Sequence, residues 1–126
     1  MNPAPLKDVI KKEYVKCAKD PVYFMKKYCM IQHPTRGRIQ FNLYTFQEKV
    51  LGLLNDNERN IILKSRQLGI STLSAGMSLW YMLFQKDINV LVIATKQDTA
   101  KNLVTKVKFM YENLPSWLKL GFEENN

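Results

Sequence analysis

The chain has 126 residues, of which 46% are apolar and 11% aromatic, and its 19 lysines and arginines against 11 acidic residues give a formal net charge of +8. This length suits one domain with a modest core, and the composition excludes a disordered tail. No apolar run approaches the roughly 20 residues that a membrane-spanning helix needs, and residues 1–12 do not form a signal peptide. Cys17 and Cys29 make no convincing disulfide framework, so we expect a reducing, cytoplasmic setting.

The positive charge is concentrated in the first part of the chain. Residues 1–50 hold ten of the basic residues and four of the acidic ones, a formal charge of +6, which leaves +2 for residues 51–126. The excess suggests a polyanionic partner such as nucleic acid or a nucleotide.

The front segment reads as two helices and a hairpin. Apolar residues recur on one face of Pro5–Lys19, which predicts a helix with lysines on its other face. Asp20 and Pro21 then form a restart signal, an N-cap residue followed by proline at the first helical position, for a second helix that runs to about Met30. A turn cluster at 33–37 and polar–apolar alternation after it predict a short β-hairpin.

A third helix is predicted from Phe46 to about Asn55. Thr45 and Glu48 have the spacing of a capping box in front of it. The turn-forming residues 55–57 end it.

The remainder alternates strand and helix. Residues 60–63 and 89–95 read as apolar strands, and the second has the continuous apolar run of a parallel strand covered on both faces. Helices are predicted over 72–84 and 98–114, and Pro115 stops the last one. Strand, loop, helix, strand and helix in this order predict an α/β body with a right-handed crossover.

The loop between the first of these strands and its helix is a candidate phosphate loop. The usual motif is Gly-x-x-x-x-Gly-Lys-Ser/Thr, whose backbone amides and helix N-terminus surround phosphate oxygens. Here Gly69 stands at the second glycine and Ser71 at the hydroxyl that meets magnesium, whereas Ile70 takes the lysine position and Lys64 that of the first glycine. The alternative is an ordinary strand-to-helix turn with incidental basic residues.

An aromatic–glutamine pair precedes this loop by about 20 residues. A glutamine amide can pair with the adenine N6 amino group and N7, and an aromatic ring can support the base by stacking. Phe46 and Gln47, with Tyr44 close by, therefore form a candidate adenine site. The alternative is a helix start with a hydrophobic staple.

From about Tyr23 to Pro115 the chain resembles the large terminase subunit of tailed (T4-like) phages, the ATP-driven motor that packages DNA. The resemblance is carried by the hairpin at 37–39, by Tyr-Thr-Phe-Gln at 44–47, by Lys-Ser-Arg-Gln-Leu-Gly-Ile-Ser-Thr at 64–72 and by Val-Leu-Val-Ile-Ala at 90–94. It implies a P-loop NTPase (RecA-like) core with a parallel sheet, incomplete here. Residues 1–44 would be the basic helical segment with its β-hairpin, and residues 45–126 the first part of the ATPase domain.

The resemblance also implies a role for each matching residue, with ATP and Mg²⁺ as cofactors. Gln47, with Phe46 or Tyr44, would recognise adenine, and Ser71 would meet magnesium. Arg66 looks like a loop arginine that stabilises charge on the transferring phosphoryl group, and Lys64 like a loop lysine moved to the front edge. The nucleotide-binding set that it implies is Tyr44, Phe46, Gln47, Lys64, Ser65, Arg66, Gln67, Leu68, Gly69, Ile70, Ser71 and Thr72.

Thr95-Lys96-Gln97 is similar to a helicase-like motif that couples ATP state to DNA, although a solvated loop lysine is the simpler interpretation of Lys96. The implied partners are double-stranded DNA, the phage portal and the small terminase subunit, in the cytoplasm of an infected bacterial cell, and no membrane.

Two carboxylates that the reaction needs are missing from these residues. In this family they close an apolar strand ending in Asp-Glu, whereas the adjacent acids here, Glu123 and Glu124, follow no strand. We therefore expect the parent protein to be an ATPase with a nuclease domain, and these 126 residues to bind nucleotide weakly without hydrolysing it. Because the two predicted strands lack later partners, we also expect a tendency to self-associate.

Two other functions fit the same sequence. A helicase-like nucleic-acid-dependent ATPase shares the aromatic–glutamine pair and the phosphate loop. A non-catalytic DNA-binding or assembly module would use only the basic front segment.

Overall fold

The structure, a computed structural model, describes residues 3–33, 35–62, 70–85, 88–93 and 96–119. These residues form a small α/β protein that is mostly helical and carries a two-stranded antiparallel sheet. Its elements in chain order are α1 (Pro3–Lys19), α2 (Pro21–Tyr28), β1 (Met30–His33), β2 (Gly37–Gln40), α3 (Thr45–Asp56), α4 (Ile70–Phe84) and α5 (Gln97–Glu112). A single helical turn over residues 116–119 follows α5.

The break between α1 and α2 is set by Asp20 and Pro21, as predicted. Asp20 Oδ1 accepts hydrogen bonds from the backbone N–H groups of Val22 at 3.0 Å and Tyr23 at 3.3 Å. Pro21 occupies the first helical position of α2, where its missing N–H removes no hydrogen bond from that helix. The restart signal is confirmed, and α2 ends at Tyr28 because the next residues begin β1.

The same proline leaves a carbonyl of α1 without its helical donor. The carbonyl of Cys17 would normally accept from the N–H of residue 21, which is absent in proline. The indole Nε1–H of Trp80 donates to this carbonyl instead, at 2.7 Å in a buried contact. This bond fixes the end of α1 against α4.

The hairpin is confirmed with the predicted turn. Its antiparallel register pairs Ile31 with Ile39. Gly37 has φ of 71°, a left-handed conformation that costs glycine little. The Arg38 guanidinium donates to Asn113 Oδ1 at 2.8 Å and so ties β2 to the end of α5.

Helix α3 begins one residue earlier than its predicted capping box requires. Tyr44 is the N-cap residue, and its backbone N–H donates to Gln47 Oε1 at 2.9 Å. Thr45 is therefore already helical. Glu48 is paired with Lys26 of α2 at 2.6 Å and does not cap the helix. The predicted Thr45–Glu48 box is thus replaced by a bond between Tyr44 and Gln47.

The two segments predicted as strands have no regular structure where the structure describes them, over residues 60–62 and 89–93. The sheet formed by the described residues contains β1 and β2 alone. A strand satisfies its backbone groups only beside another strand, and neither segment has such a neighbour in the described ranges. Ile61 is fully exposed, and Leu91 and Ile93 are 82% and 83% exposed.

One buried cluster joins the helices. It includes residues from both sides of the predicted boundary at 44/45, and α2 packs against both α3 and α4. Its members are Cys17, Phe24, Met25, Cys29, Phe41, Leu51, Ile70, Leu73, Ala75, Met77, Leu79, Trp80, Met110, Leu114 and Leu118. Among the described residues, no helix has the length and apolar character needed to cross a membrane.

Candidate nucleotide-binding site

The start of α4 carries the last three residues of the predicted nucleotide-binding set. Ile70, the first residue of the helix, is buried in the core, Ser71 is exposed, and Thr72 is half-buried. The backbone N–H groups of a first helical turn have no acceptor within their own helix, and the helix dipole is positive there. Burial of Ile70 fixes this end of the helix while the Ser71 hydroxyl stays accessible.

The rest of the predicted loop lies outside the described residues. This applies to its two cations and to the four residues near them: Lys64, Ser65, Arg66, Gln67, Leu68 and Gly69. Their predicted roles remain predictions.

The predicted adenine site lies at the start of α3, which packs against α4. The rings of Tyr44 and Phe46 are stacked, with centroids 6.0 Å apart and planes 9° from parallel. Tyr44 is 69% exposed and Phe46 is 41% exposed, so the pair offers aromatic surface to solvent. Such a surface can support a nucleobase by stacking.

Gln47 is placed differently from its aromatic neighbours. It is 4% exposed, and its amide oxygen accepts the backbone N–H of Tyr44. This bond places Gln47 at the start of α3 as a residue that satisfies the N-cap backbone, which agrees with the helix-start interpretation. Adenine recognition by Gln47 stays a prediction.

Lys106 was not singled out from the sequence, although the structure brings it to the start of α4. Its Nζ lies 3.5 Å from Thr72 Oγ1, across 34 residues of sequence. Lys106 is one of several lysines on α5, and no local spacing distinguishes it from the others. Only the packing of α5 against α4 brings a cation to this position.

The helicase-like motif at 95–97 is partly described. Lys96 is the N-cap residue of α5, without a capping hydrogen bond from its side chain, and Gln97 begins the helix. Lys96 is exposed, which agrees with a solvated lysine. Thr95 lies outside the described residues.

Among the described residues, the groups with clearly shifted pKa values lie away from this site, in or directly after α1 and α2. Hydrogen bonds from the hydroxyls of Tyr28 at 2.5 Å and Tyr23 at 2.7 Å, with Lys27 Nζ at 3.3 Å, lower the pKa of Glu13 to about 2. Burial raises the pKa of Cys17 to about 12, which keeps its thiol protonated and unreactive. Neither Glu13 nor Cys17 belongs to the predicted nucleotide-binding set.

Metal ligands of the usual kind are not grouped in the described part of the chain. No cluster of three or more histidine, cysteine, aspartate or glutamate side chains there is arranged to hold a metal ion. A magnesium ion that arrives with a nucleotide needs fewer protein ligands, because phosphates and water fill most of its coordination sphere.

No protein-family model matches this chain.

Proposed function

We propose that the chain is the N-terminal part of the ATPase domain of a phage large terminase subunit, with a parallel-sheet P-loop core, and that it binds ATP with Mg²⁺. The observation that carries the proposal is the segment at 64–72, whose Ser-Arg-Gln-Leu-Gly spelling leads directly into a helix. In support, α4 (Ile70–Phe84) lies on the C-terminal side of this segment, where the helix that follows a phosphate loop is expected.

The described residues fit a phosphate group with its magnesium ion. The Ser71 hydroxyl is exposed in the first turn of a 15-residue helix, where backbone N–H groups and the helix dipole favour an anion. Lys106 adds a positive charge beside Thr72. Ser71 would hold magnesium, and residues 65–70 would surround the phosphates. When bound, the nucleotide supplies the phosphoanhydride bond whose hydrolysis drives the parent motor.

Adenine recognition would fall to the start of α3. The exposed rings of Tyr44 and Phe46 would support the base. To read the edge of the base, Gln47 would have to give up its buried hydrogen bond to the Tyr44 N–H. Arg66 would stabilise phosphoryl charge, with Lys64 as a second loop cation. No Asp-Glu pair closes an apolar strand in these residues, so we expect binding without turnover.

Calorimetric titration with magnesium-ATP tests the proposal. We expect weak binding that Ser71→Ala abolishes, while Ser78→Ala, in the middle of the same helix, leaves it unchanged. Binding that is insensitive to Ser71→Ala would contradict the proposal. ATP hydrolysis by the purified 126-residue chain, lost on Arg66→Ala, would contradict the expected inactivity.

The exposed face of α1 favours a second candidate, a nucleic-acid-binding module. Five exposed lysines lie on this helix: Lys7, Lys11, Lys12, Lys16 and Lys19. Salt-dependent binding to duplex DNA, without any affinity for nucleotide, would favour this function over the motor. A helicase-like ATPase would bind nucleotide as the motor does, and only further sequence of the parent gene separates these two.

A further inference from the structure

A cavity of about 540 Å³ lies between β1, the first turn of α4 and α5. This volume is within the range of small-molecule sites. Part of its wall is apolar and is contributed by Met30, Phe109 and Met110. Thr72 lies on the wall as well, so the cavity reaches the predicted nucleotide-binding set.

The polar groups of this cavity are mainly hydrogen-bond donors. Lys106 and Lys108 line it together with Thr72, and Glu112 is the acidic residue among the described lining. Thr105 also lines it, but its hydroxyl donates to the Lys101 carbonyl. The ion pairs of the described residues join neither lysine to a carboxylate. Two lysines against one glutamate leave this wall net positive.

His33 adds a further donor. Its Nδ1 accepts the backbone N–H groups of Thr35 at 3.2 Å and Arg36 at 3.1 Å. A neutral imidazole whose Nδ1 accepts must carry its proton on Nε2, so its second nitrogen is a donor. His33 lines the same cavity.

We infer that this cavity binds phosphate groups of a nucleotide and that Lys106 supplies a positive charge there, in addition to those proposed for Lys64 and Arg66. The inference rests on the proposed function. Ile70 stands at the loop's usual lysine position, but it is an apolar core residue and cannot serve as a cation. Lys106 belongs to α5, and its Nζ contacts the Thr72 hydroxyl in the first turn of α4. A lining that combines donors with apolar side chains matches an anion attached to a less polar group.

Three single variants test the inference, with magnesium-ATP and tripolyphosphate as probes in calorimetric titrations. Lys106→Ala should weaken both interactions roughly 10-fold or more, the scale of a lost charge-assisted hydrogen bond. Lys108→Ala should weaken them less, because no contact joins that lysine to Thr72 among the described residues. Lys101→Ala is the matched control, since Lys101 is an exposed lysine of α5 that lines a different cavity. Unchanged melting temperatures would show that the variants fold.

The outcomes separate this inference from the proposed function. Magnesium-ATP binding that Ser71→Ala abolishes and Lys106→Ala leaves intact overturns the role of Lys106 alone. Lys106-dependent binding of tripolyphosphate without any affinity for ATP supports an anion site and overturns the proposed function. If neither probe binds, both fail. If Lys106→Ala weakens binding to a 30-base-pair DNA duplex and not to ATP, the phosphate belongs to nucleic acid and the assignment to a nucleotide is overturned.

Discussion

Glu13 links the first two helices through a single carboxylate. It accepts hydrogen bonds from Tyr23, Tyr28 and Lys27, all of which belong to α2. These donors favour the charged form, so the pKa of Glu13 lies near 2 in the folded chain, below its ordinary value of 4.5. A carboxylate whose pKa is lowered by folding stabilises the fold above its unfolded pKa, and this contribution is lost as the pH falls through the folded value.

Replacement of Glu13 by glutamine should therefore lower the melting temperature at pH 7. The difference between the wild type and Glu13→Gln should shrink as the pH falls from about 4.5 towards 2, where the wild-type carboxylate becomes protonated. Thermal unfolding followed by circular dichroism at several pH values measures both effects. Glu58→Gln, at an exposed bend, serves as the control and should leave the curve unchanged. An equal difference at pH 7 and pH 2 would contradict the prediction.

At the level of single residues, the sequence predicted those roles that depend on near neighbours. Asp20 caps α2 because the two N–H groups that donate to its carboxylate lie within three residues of it. Glu13 and Lys106 could not be predicted in this way, since their partners are brought to them by helix packing over 10 to 34 residues. The Gln47 amide also has a local partner, the N–H of Tyr44. The sequence fits a capping pair at Thr45 and Glu48 as well as one at Tyr44 and Gln47, and only the backbone geometry distinguishes them.

Helices α2 and α4 approach closely at Gly76. A Cβ atom at this position would lie 2.9 Å from Met25 Sδ and 3.1 Å from Met25 Cε. Met25 is fully buried, so its side chain has little room to move aside. The absence of a side chain at Gly76 thus lets the two helices pack at their observed distance.

Two glycine-to-alanine substitutions separate helix propensity from this packing. Gly52→Ala in α3 meets nothing within 4 Å and should raise the free energy of unfolding by roughly 0.5–1 kcal/mol. Gly76→Ala gains the same propensity but must displace Met25, so we expect a net loss of about 1–2 kcal/mol. Urea denaturation of both variants measures the contrast. Equal stabilisation by the two substitutions would show that the contact at Gly76 is loose.

At the level of elements, helices α1 to α5 and the hairpin were predictable because their signals are local. Periodic apolar faces, the Asp20–Pro21 restart and the turn at Gly37 each act within a few residues. The strands predicted at 60–63 and 89–95 depended on pairing with other strands, and pairing is not a local property. Their described parts, 60–62 and 89–93, are not paired in a sheet.

At the level of the whole molecule, the apolar segment 88–93 is only partly covered by the other described residues. Val90 and Val92 lie with Val104 along a shallow cavity against α5, whereas the alternate residues Leu91 and Ile93 face away and are largely exposed. This alternation is the two-residue period of an extended chain. A second copy of the chain can cover the exposed side and pair with its backbone.

We expect the chain to self-associate through this segment at high concentration. Sedimentation velocity should show a mass that rises with concentration, and the double variant Leu91→Lys/Ile93→Lys should remain monomeric. Leu53→Lys is the matched control, because Leu53 is an exposed leucine on α3 and should not change the association. A wild-type chain that sediments as a monomer over the whole concentration range would contradict the prediction.

The bond between Trp80 and the Cys17 carbonyl also makes the docking of α1 visible by spectroscopy. The Trp80 indole is buried and hydrogen-bonded to the helix it holds, so its emission wavelength depends on whether α1 is in place. The other tryptophan, Trp117, lies edge-on against the ring of Tyr28. In a Trp117→Phe background, a red shift of the remaining emission would therefore follow the release of the first helix separately from the loss of overall helicity.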